Sequence, residues 1–120
     1  MDGHTECVSL KLCTKATQEE ILAAWAEFQP LAGRDLPTAP AVPVQWASQP
    51  DRPQPRLDRN RGNGMAVTVG RLRPCNLLDW KFVLLSHNTV RGAAGATILN
   101  AELLVSLGKL EPVAEAAARA

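Results

Sequence analysis

The spacing of apolar residues predicts a strand and then a helix in the first quarter of the chain. Apolar and polar residues alternate over Cys7–Leu12, which is typical of a strand with one buried face. Thr17 and Glu20 stand three residues apart, the spacing of a capping box that begins a helix. An apolar stripe at helical spacing follows, made of Ile21, Leu22, Trp25 and Phe28. We therefore predict a helix over Gln18–Phe28, with this stripe in the core.

The middle of the chain, residues 30–64, is rich in proline and arginine. Seven of the nine prolines lie between Pro30 and Pro55, and because proline lacks a backbone donor, a long helix is excluded there. A short edge strand fits Val42–Trp46. Four arginines then follow, namely Arg52, Arg56, Arg59 and Arg61. We interpret the segment as a long solvated connector, with a phosphate-binding loop as the alternative.

The last part of the chain predicts a hairpin and a helix. Strands are expected over Met65–Arg73 and Trp80–Ser86, and the short turn between them favours antiparallel pairing. Trp80, Phe82 and Leu84 would then face the helices or a partner sheet. A second helix is predicted over 88–108, with one apolar side made of Val90, Ala94, Ile98, Ala101 and Val105. Residues 109–120 are alanine-rich, and Pro112 could begin a short, frayed helix.

The order strand, helix, edge strand, long loop, hairpin and helix indicates an α+β fold. We expect a mostly antiparallel sheet with packed helices and an additional C-terminal helix. Since the 120 residues contain 13 basic and 12 acidic side chains, nothing predicts a nucleic-acid or membrane partner. No apolar run approaches the roughly 20 residues that span a bilayer, and no secretory signal is visible. We therefore expect a cytoplasmic protein.

The cysteines and histidines predict neither disulfides nor a metal site. Cys7, Cys13 and Cys75 are an odd number without CxxC spacing. His4 could carry protons near neutral pH, although a histidine so near a chain start is commonly exposed and without a role. His87 lies at a strand-to-helix junction, where it could cap or pack.

Two further features could bind a ligand. Small residues over Asn88–Ala96 would let a flat ligand or another backbone approach, and free amides at a helix start favour anionic groups. Asn88 could also bond a ligand amide, but Asn88 or Thr89 could equally just cap the helix. Arg71 and Arg73 share a predicted strand face, which could hold a carboxylate or phosphate or line a subunit interface.

Three separated segments together carry a family resemblance. Asp2–Ser9, Gly64–Arg71 and Ser86–Gly95 occur in a fixed order. They closely resemble the C-terminal portion of aspartate-semialdehyde dehydrogenase in its archaeal and fungal branch. The resemblance extends from about Asp2 to Leu104.

The resemblance implies an NADP-dependent oxidoreductase of lysine, threonine and methionine biosynthesis. Its substrates would be aspartyl phosphate, aspartate semialdehyde and phosphate, and it would be a homo-oligomer. His4, within Gly3-His4-Thr5, matches the family's acid–base histidine. Asn88 matches the carboxamide beside the nicotinamide, and with Thr89 and Gly92 it makes up the implied cofactor-binding positions.

Parts of the family pattern are absent from these 120 residues. The nucleotide-binding domain, the substrate-binding arginine upstream of the histidine and the nucleophilic cysteine have no match, so no thioester can form by this route. We expect a fragment that is inactive alone, with a non-catalytic dimerisation or interaction module as the alternative. Residues 1–87 would be the partial dimerisation and catalytic domain, 88–108 the helix that returns to the nucleotide-binding domain, and 109–120 a frayed tail.

Overall fold

A computed structural model of the chain describes residues 2–110, which form one four-stranded sheet with flanking helices. The elements are β1 (Gly3–Leu10), α1 (Gln18–Glu27), β2 (Val44–Ala47), α2 (Pro55–Asp58), β3 (Val67–Pro74), β4 (Trp80–His87) and α3 (Gly95–Ser106). A 3-10 turn covers Arg61–Gly64, and a π-helical turn covers Val90–Ala94. The sheet order is β1-β4-β3-β2, with β2 parallel to β3 and the other two pairings antiparallel. The predicted α+β fold with a mostly antiparallel sheet is confirmed.

The first strand is shifted from its predicted position. It begins at Gly3 rather than Cys7 and ends at Leu10 rather than Leu12, because Gly3–Leu10 pairs residue by residue with β4. Its first residues are exposed and polar. They show no alternation of apolar and polar side chains from which the strand could have been predicted. The short helix expected from Pro112 lies outside the described residues.

Helix α1 covers one face of the sheet. Its predicted capping box is present, since the Glu20 amide donates to Thr17 Oγ1 at 3.2 Å and the Thr17 amide donates to Glu20 Oε2 at 2.7 Å. The Trp25 ring centroid lies 5.1 Å from that of Phe82 in β4 and 6.0 Å from that of Trp46 in β2. The aromatic side of β4 therefore faces a helix, as predicted.

The apolar stripe of α1 is only partly in the core. Ile21, Leu22 and Trp25 are half-buried in this chain, and Phe28 is exposed. The helix ends at Glu27, and Phe28 has extended backbone angles where the chain turns toward Pro30. The prediction that Phe28 belongs to the core is wrong, because the helix stops before its last turn can pack.

The segment between α1 and β3 packs on the sheet and is not a solvated connector throughout. It contributes the predicted edge strand, β2, and α2 on the opposite face from α1. The carbonyl of Arg52 and the ring of Pro53 lie directly on Gly70 in β3. A Cβ at Gly70 would overlap the Arg52 oxygen and come within 2.9 Å of Pro53 Cδ, so this close approach requires glycine.

Asp58, at the end of α2, anchors this segment. Its side chain is fully buried, and the whole residue is 1% exposed. It accepts from Arg52 Nε at 2.6 Å and from the Gln54 amide at 2.7 Å, and it lies 2.9 Å from Arg61 Nε. The bond from Arg52, with the Gln54 amide and the Arg61 charge, lowers the pKa of Asp58 below its ordinary value. Two of the four arginines thus serve the fold.

The predicted helix after Asn88 begins with the π-helical turn and continues as α3. The extra residue of this turn, where the Ala94 amide donates to the Thr89 carbonyl at 2.9 Å, changes which side of α3 faces inward. Gly95 and Leu99 are the buried residues of α3. Leu99 packs in a core cluster with Leu36 and Met65.

The apolar side predicted for this helix is therefore mostly exposed. Ile98 is 54% exposed and Val105 is 61% exposed, although both belong to the predicted stripe. Apolar residues occur nearly all round α3, so their spacing could not distinguish the inner side from the outer one.

We expect the backbone amides of α3 to exchange with solvent about tenfold faster, or more, than those of β3 and β4. The helix has 12 residues and buries only two of them, and isolated helices of this length are marginal in water. Hydrogen exchange on the 120-residue chain measures the difference. Equal protection of α3 and the hairpin would contradict the expectation.

Candidate functional site

A shallow cleft of about 300 Å³ lies at the end of the sheet where β1 begins and β4 ends. The lining residues are His4, Glu6, Ser86, His87, Asn88 and Gly92. The structure thus places three of the four predicted site residues, His4, Asn88 and Gly92, around one cleft. Thr89 is adjacent in sequence but does not line it.

Strand register explains why His4 and Asn88 meet. His4 pairs with Ser86 in the antiparallel ladder of β1 and β4. The Asn88 amide donates to the Asp2 carbonyl at 3.0 Å, so the pairing extends one step beyond β4. Diagonal neighbours on the same face of such a ladder have Cα atoms about 7–8 Å apart, which brings His4 and Asn88 within reach of one small ligand.

His4 is accessible to both ligand and water. Its side chain is 66% exposed, and its Nε2 atom lies 3.7 Å from Glu6 Oε1, two residues further along the same face of β1. Sequence reasoning placed His4 just before a strand, whereas it lies inside β1. An imidazole in such a position can exchange protons with a bound substrate.

Asn88 and Gly92 leave the cleft open on its other side. Asn88 is exposed, and its carboxamide offers one acceptor and two donor positions. A Cβ at Gly92 would lie 3.6 Å from its nearest neighbour, the His87 carbonyl oxygen, so a flat ring can approach this backbone. This side of the cleft therefore offers amide hydrogen-bonding groups beside an open stretch of backbone.

The side chain of His87, and not that of Thr89, caps the π-helical turn. The His87 Nδ1 atom accepts from the Val90 amide at 3.3 Å and lies 3.3 Å from Thr89 Oγ1. Thr89, at the N-cap position, forms no side-chain cap within the described residues. His87 also packs, since it is buried. Both roles left open for His87 from the sequence are therefore filled.

Sequence reasoning missed Glu6 and Ser86, which also line the cleft. Glu6 is two residues from His4 on β1, and Ser86 is the partner of His4 on β4, so both lie on the face of His4. The position of Ser86 depends on the pairing of β1 with β4. The pairing joins strands that are far apart in the sequence, so no local pattern reveals it.

Neither Cys7 nor Cys75 is near His4 along the same face. Cys7 is three residues from His4 on β1 and projects to the other face. Cys75 lies beyond the opposite end of β4, whose eight residues extend about 23 Å at roughly 3.3 Å per residue. Backbone amides of Leu77 and Leu78 lower the pKa of the Cys75 thiol, but this thiol is remote from the cleft.

Arg71 and Arg73 lie at a bulge of β3 and not on a regular strand face. A bulge between Gly70 and Arg73 interrupts the regular strand, and Arg71 has a φ of 57°. Arg71 Nη2 donates to the Asp51 carbonyl at 3.0 Å, and Arg73 Nη1 donates to the Arg71 carbonyl at 2.6 Å. Both side chains lie away from the cleft.

Residues 2–110 contain neither a metal-binding cluster nor a membrane-spanning helix. No group of three His, Cys, Asp or Glu side chains there could hold a metal ion. No helix in this part of the chain is long and apolar enough to cross a membrane.

The family model described as the semialdehyde dehydrogenase dimerisation domain matches residues 1–91. The chain belongs to this family. It is 51% identical to an aspartate-semialdehyde dehydrogenase of Archaeoglobus fulgidus over 105 residues, covering 88% of this chain and 30% of that protein. It is 48% identical over 107 residues to the enzyme of the same name from Candida albicans, covering 87% of this chain and 29% of the other.

A solved structure shows the same fold. The crystal structure of aspartate semialdehyde dehydrogenase with NADP from Candida albicans aligns with a TM-score of 0.77 and 44% identity, over 92% of this chain and 32% of that one. The chain therefore spans about 30% of the length of the curated relatives it matches. The resemblance drawn from three sequence segments is confirmed.

Proposed function

We propose that this chain carries the acid–base histidine and part of the NADP-binding surface of an aspartate-semialdehyde dehydrogenase. The observation that supports the proposal is the cleft shared by His4 and Asn88 in a member of this family. In this proposal His4 is the catalytic acid and base. Asn88, Thr89 and Gly92 are the cofactor-binding positions.

The proposed reaction interconverts aspartyl phosphate and aspartate semialdehyde, with phosphate released in the reductive direction. When bound, NADP would accept the hydride in the oxidative direction, and NADPH would supply it in the reductive direction. The exposed imidazole of His4 holds or releases the proton that the acyl transfer requires. Asn88 orients the nicotinamide through its carboxamide, and the open backbone at Gly92 admits the ring.

The 120-residue chain alone is expected to show no phosphate-dependent reduction of NADP with aspartate semialdehyde. The proposed chemistry needs a thiolate beside His4, and the positions of Cys7 and Cys75 do not provide one. Absorbance of NADPH measures the rate. Turnover by this chain that disappears in Cys75→Ser would contradict the assignment.

A fusion enzyme provides the positive arm of this test. In the fusion, this chain replaces the matching part of the Archaeoglobus fulgidus relative, to which it is 51% identical. We expect phosphate-dependent turnover from the fusion and none from the relative with that part deleted. A folded but inactive fusion would count against the proposed function.

A non-catalytic assembly module is the second candidate. It is favoured by the description of the matching family model as a dimerisation domain. The outer edge of β1 also has no strand partner within residues 2–110, which leaves its backbone groups available for pairing.

We expect the purified chain to form a homodimer or a larger assembly. Exposed apolar side chains on α3, including Ile98 and Val105, add to the surface that association would bury. Size-exclusion chromatography with light scattering measures the mass. A well-folded chain that stays monomeric at all concentrations would contradict the expectation.

A further inference from the structure

The geometry points to His87 as a positioning residue that holds the turn presenting Asn88 and Gly92 to the cleft. This inference rests on the proposed function, in which Asn88 contacts NADP. His87 is 9% exposed and pairs with Gly3 in the ladder of β1 and β4, so its ring lies on the opposite face of the sheet from His4. The ring therefore contacts the turn from the side of the sheet that faces away from His4.

The imidazole contacts the start of the π-helical turn through one nitrogen. Nδ1 accepts from the Val90 amide and is also 3.3 Å from Thr89 Oγ1. The Val90 amide belongs to the first turn, where no helical carbonyl is available to it. A ring nitrogen accepts only without its own proton, so this contact requires the tautomer of His87 that carries its hydrogen on Nε2.

Packing on Gly64 prevents the ring from moving away. Gly64 has a φ of 81°, and a Cβ there would lie 3.1 Å from Val90 Cβ and 3.3 Å from His87 Cδ2. The backbone at Gly64 therefore lies tightly on both side chains. This contact packs the Cδ2 edge of the His87 ring against the loop before β3.

The far end of the turn is held as well. A Cβ at Gly95 would lie 2.5 Å from Met65 Sδ and 2.9 Å from the Val90 carbonyl oxygen. The turn is thus fixed by His87 at its start and by close packing at its end. Asn88 stands between His87 and Val90, so its backbone position follows from theirs.

This restraint matters because a carboxamide that orients a ring must be held within about 0.5 Å. Without an acceptor at Nδ1, the Val90 amide loses its partner and the turn can relax. Asn88 and Gly92 would then move relative to His4. The effect on catalysis would be indirect, since His87 acts through Asn88.

The first experiment measures the tautomer of His87 in the 120-residue chain. Long-range nitrogen–proton correlation spectra at neutral pH should show Nδ1 without a proton and Nε2 with one. A proton on Nδ1 would overturn the inference, because that nitrogen could not accept from Val90.

The second experiment compares two variants of the same chain. His87→Leu removes the acceptor, whereas His87→Asn places Oδ1 near the position of Nδ1. We expect exchange of the Val90 and Ala94 amides to rise about tenfold or more in His87→Leu and to stay within about threefold in His87→Asn. The amides of β3 and β4 report whether each variant is folded. Equal exchange rates of these amides in both variants would overturn the inference. If His87→Leu does not fold, His87→Asn is compared with the native chain, and faster exchange in His87→Asn would overturn the inference.

The third measurement uses the fusion enzyme and separates the two proposals. His87→Leu should raise the KM for NADP by about tenfold or more, while His87→Asn should retain it within about threefold. An unchanged KM in His87→Leu would overturn the positioning role. An inactive fusion with His87 intact would instead contradict the proposed function. The tautomer and exchange experiments would then still test the contact between His87 Nδ1 and the Val90 amide.

Discussion

Replacing Asp58 with alanine is expected to lower the free energy of unfolding by about 3 kcal/mol, because it removes one member of a buried ionic cluster. Asp58 is the shared acceptor for Arg52 and Arg61, whose side chains are 19% and 29% exposed. Without the carboxylate, both guanidinium groups keep their desolvation cost and lose their partner. Urea unfolding of the 120-residue chain measures the difference.

The same variant should change how stability depends on pH. The pKa of Asp58 is lower in the folded chain than its ordinary value near 4, so its stabilisation is complete above about pH 4. It is lost as the pH falls through the lower folded value. Unfolding free energy should therefore fall more steeply below about pH 4 in the native chain than in Asp58→Ala.

Asp51→Ala is the matched control. Asp51 is exposed, and its carboxylate accepts from Gln54 Nε2 at 2.9 Å at the surface. We expect its loss to cost about 0.5 kcal/mol or less. Equal destabilisation by Asp51→Ala and Asp58→Ala would show that the cluster at Asp58 does not anchor the segment.

Replacing His4 with asparagine in the fusion enzyme is expected to lower kcat by about 10²–10⁴-fold. Asparagine keeps a polar side chain at the cleft but cannot exchange a proton near neutral pH. Since the His4 side chain is 66% exposed, the unfolding free energy of the chain should hardly change. Steady-state kinetics and urea unfolding together separate a chemical loss from a structural one.

Thr5→Ala provides the comparison for His4. Thr5 is the next residue on β1, exposed like His4, but alternation places its side chain on the other face of the sheet. Its kcat should stay within about threefold of the native value. A similar loss in both variants, or full activity in His4→Asn, would contradict the role given to His4.

The parts of the fold with strong local patterns could be predicted from the sequence. The capping box of Thr17 and Glu20 located the start of α1, and the strands of the hairpin were found nearly at their observed bounds. The start of β1 could not be found, because its exposed polar residues are held by pairing with β4. The inner side of α3 was mistaken, because the π-helical turn shifts it and apolar residues surround that helix.

The candidate site depended on the family resemblance more than on spacing. The residues around His4 by themselves favoured an exposed histidine without a role. They left two alternatives open for Asn88, a ligand contact or a helix cap. The closeness of His4 and Asn88 follows from strand register over a long separation in sequence. The ionic cluster at Asp58 was missed because charged residues in a proline-rich segment are usually solvated.

The segment anchored by Asp58 also reaches the end of the sheet that holds the His4 cleft. Pro55 opens α2 and lies so near β1 that a Cβ at Gly3 would come within 2.8 Å of Pro55 Cβ. Gly3 immediately precedes His4. Acid that neutralises Asp58 would therefore loosen the packing behind His4, which couples the acid tolerance of the fold to the alignment of its cleft.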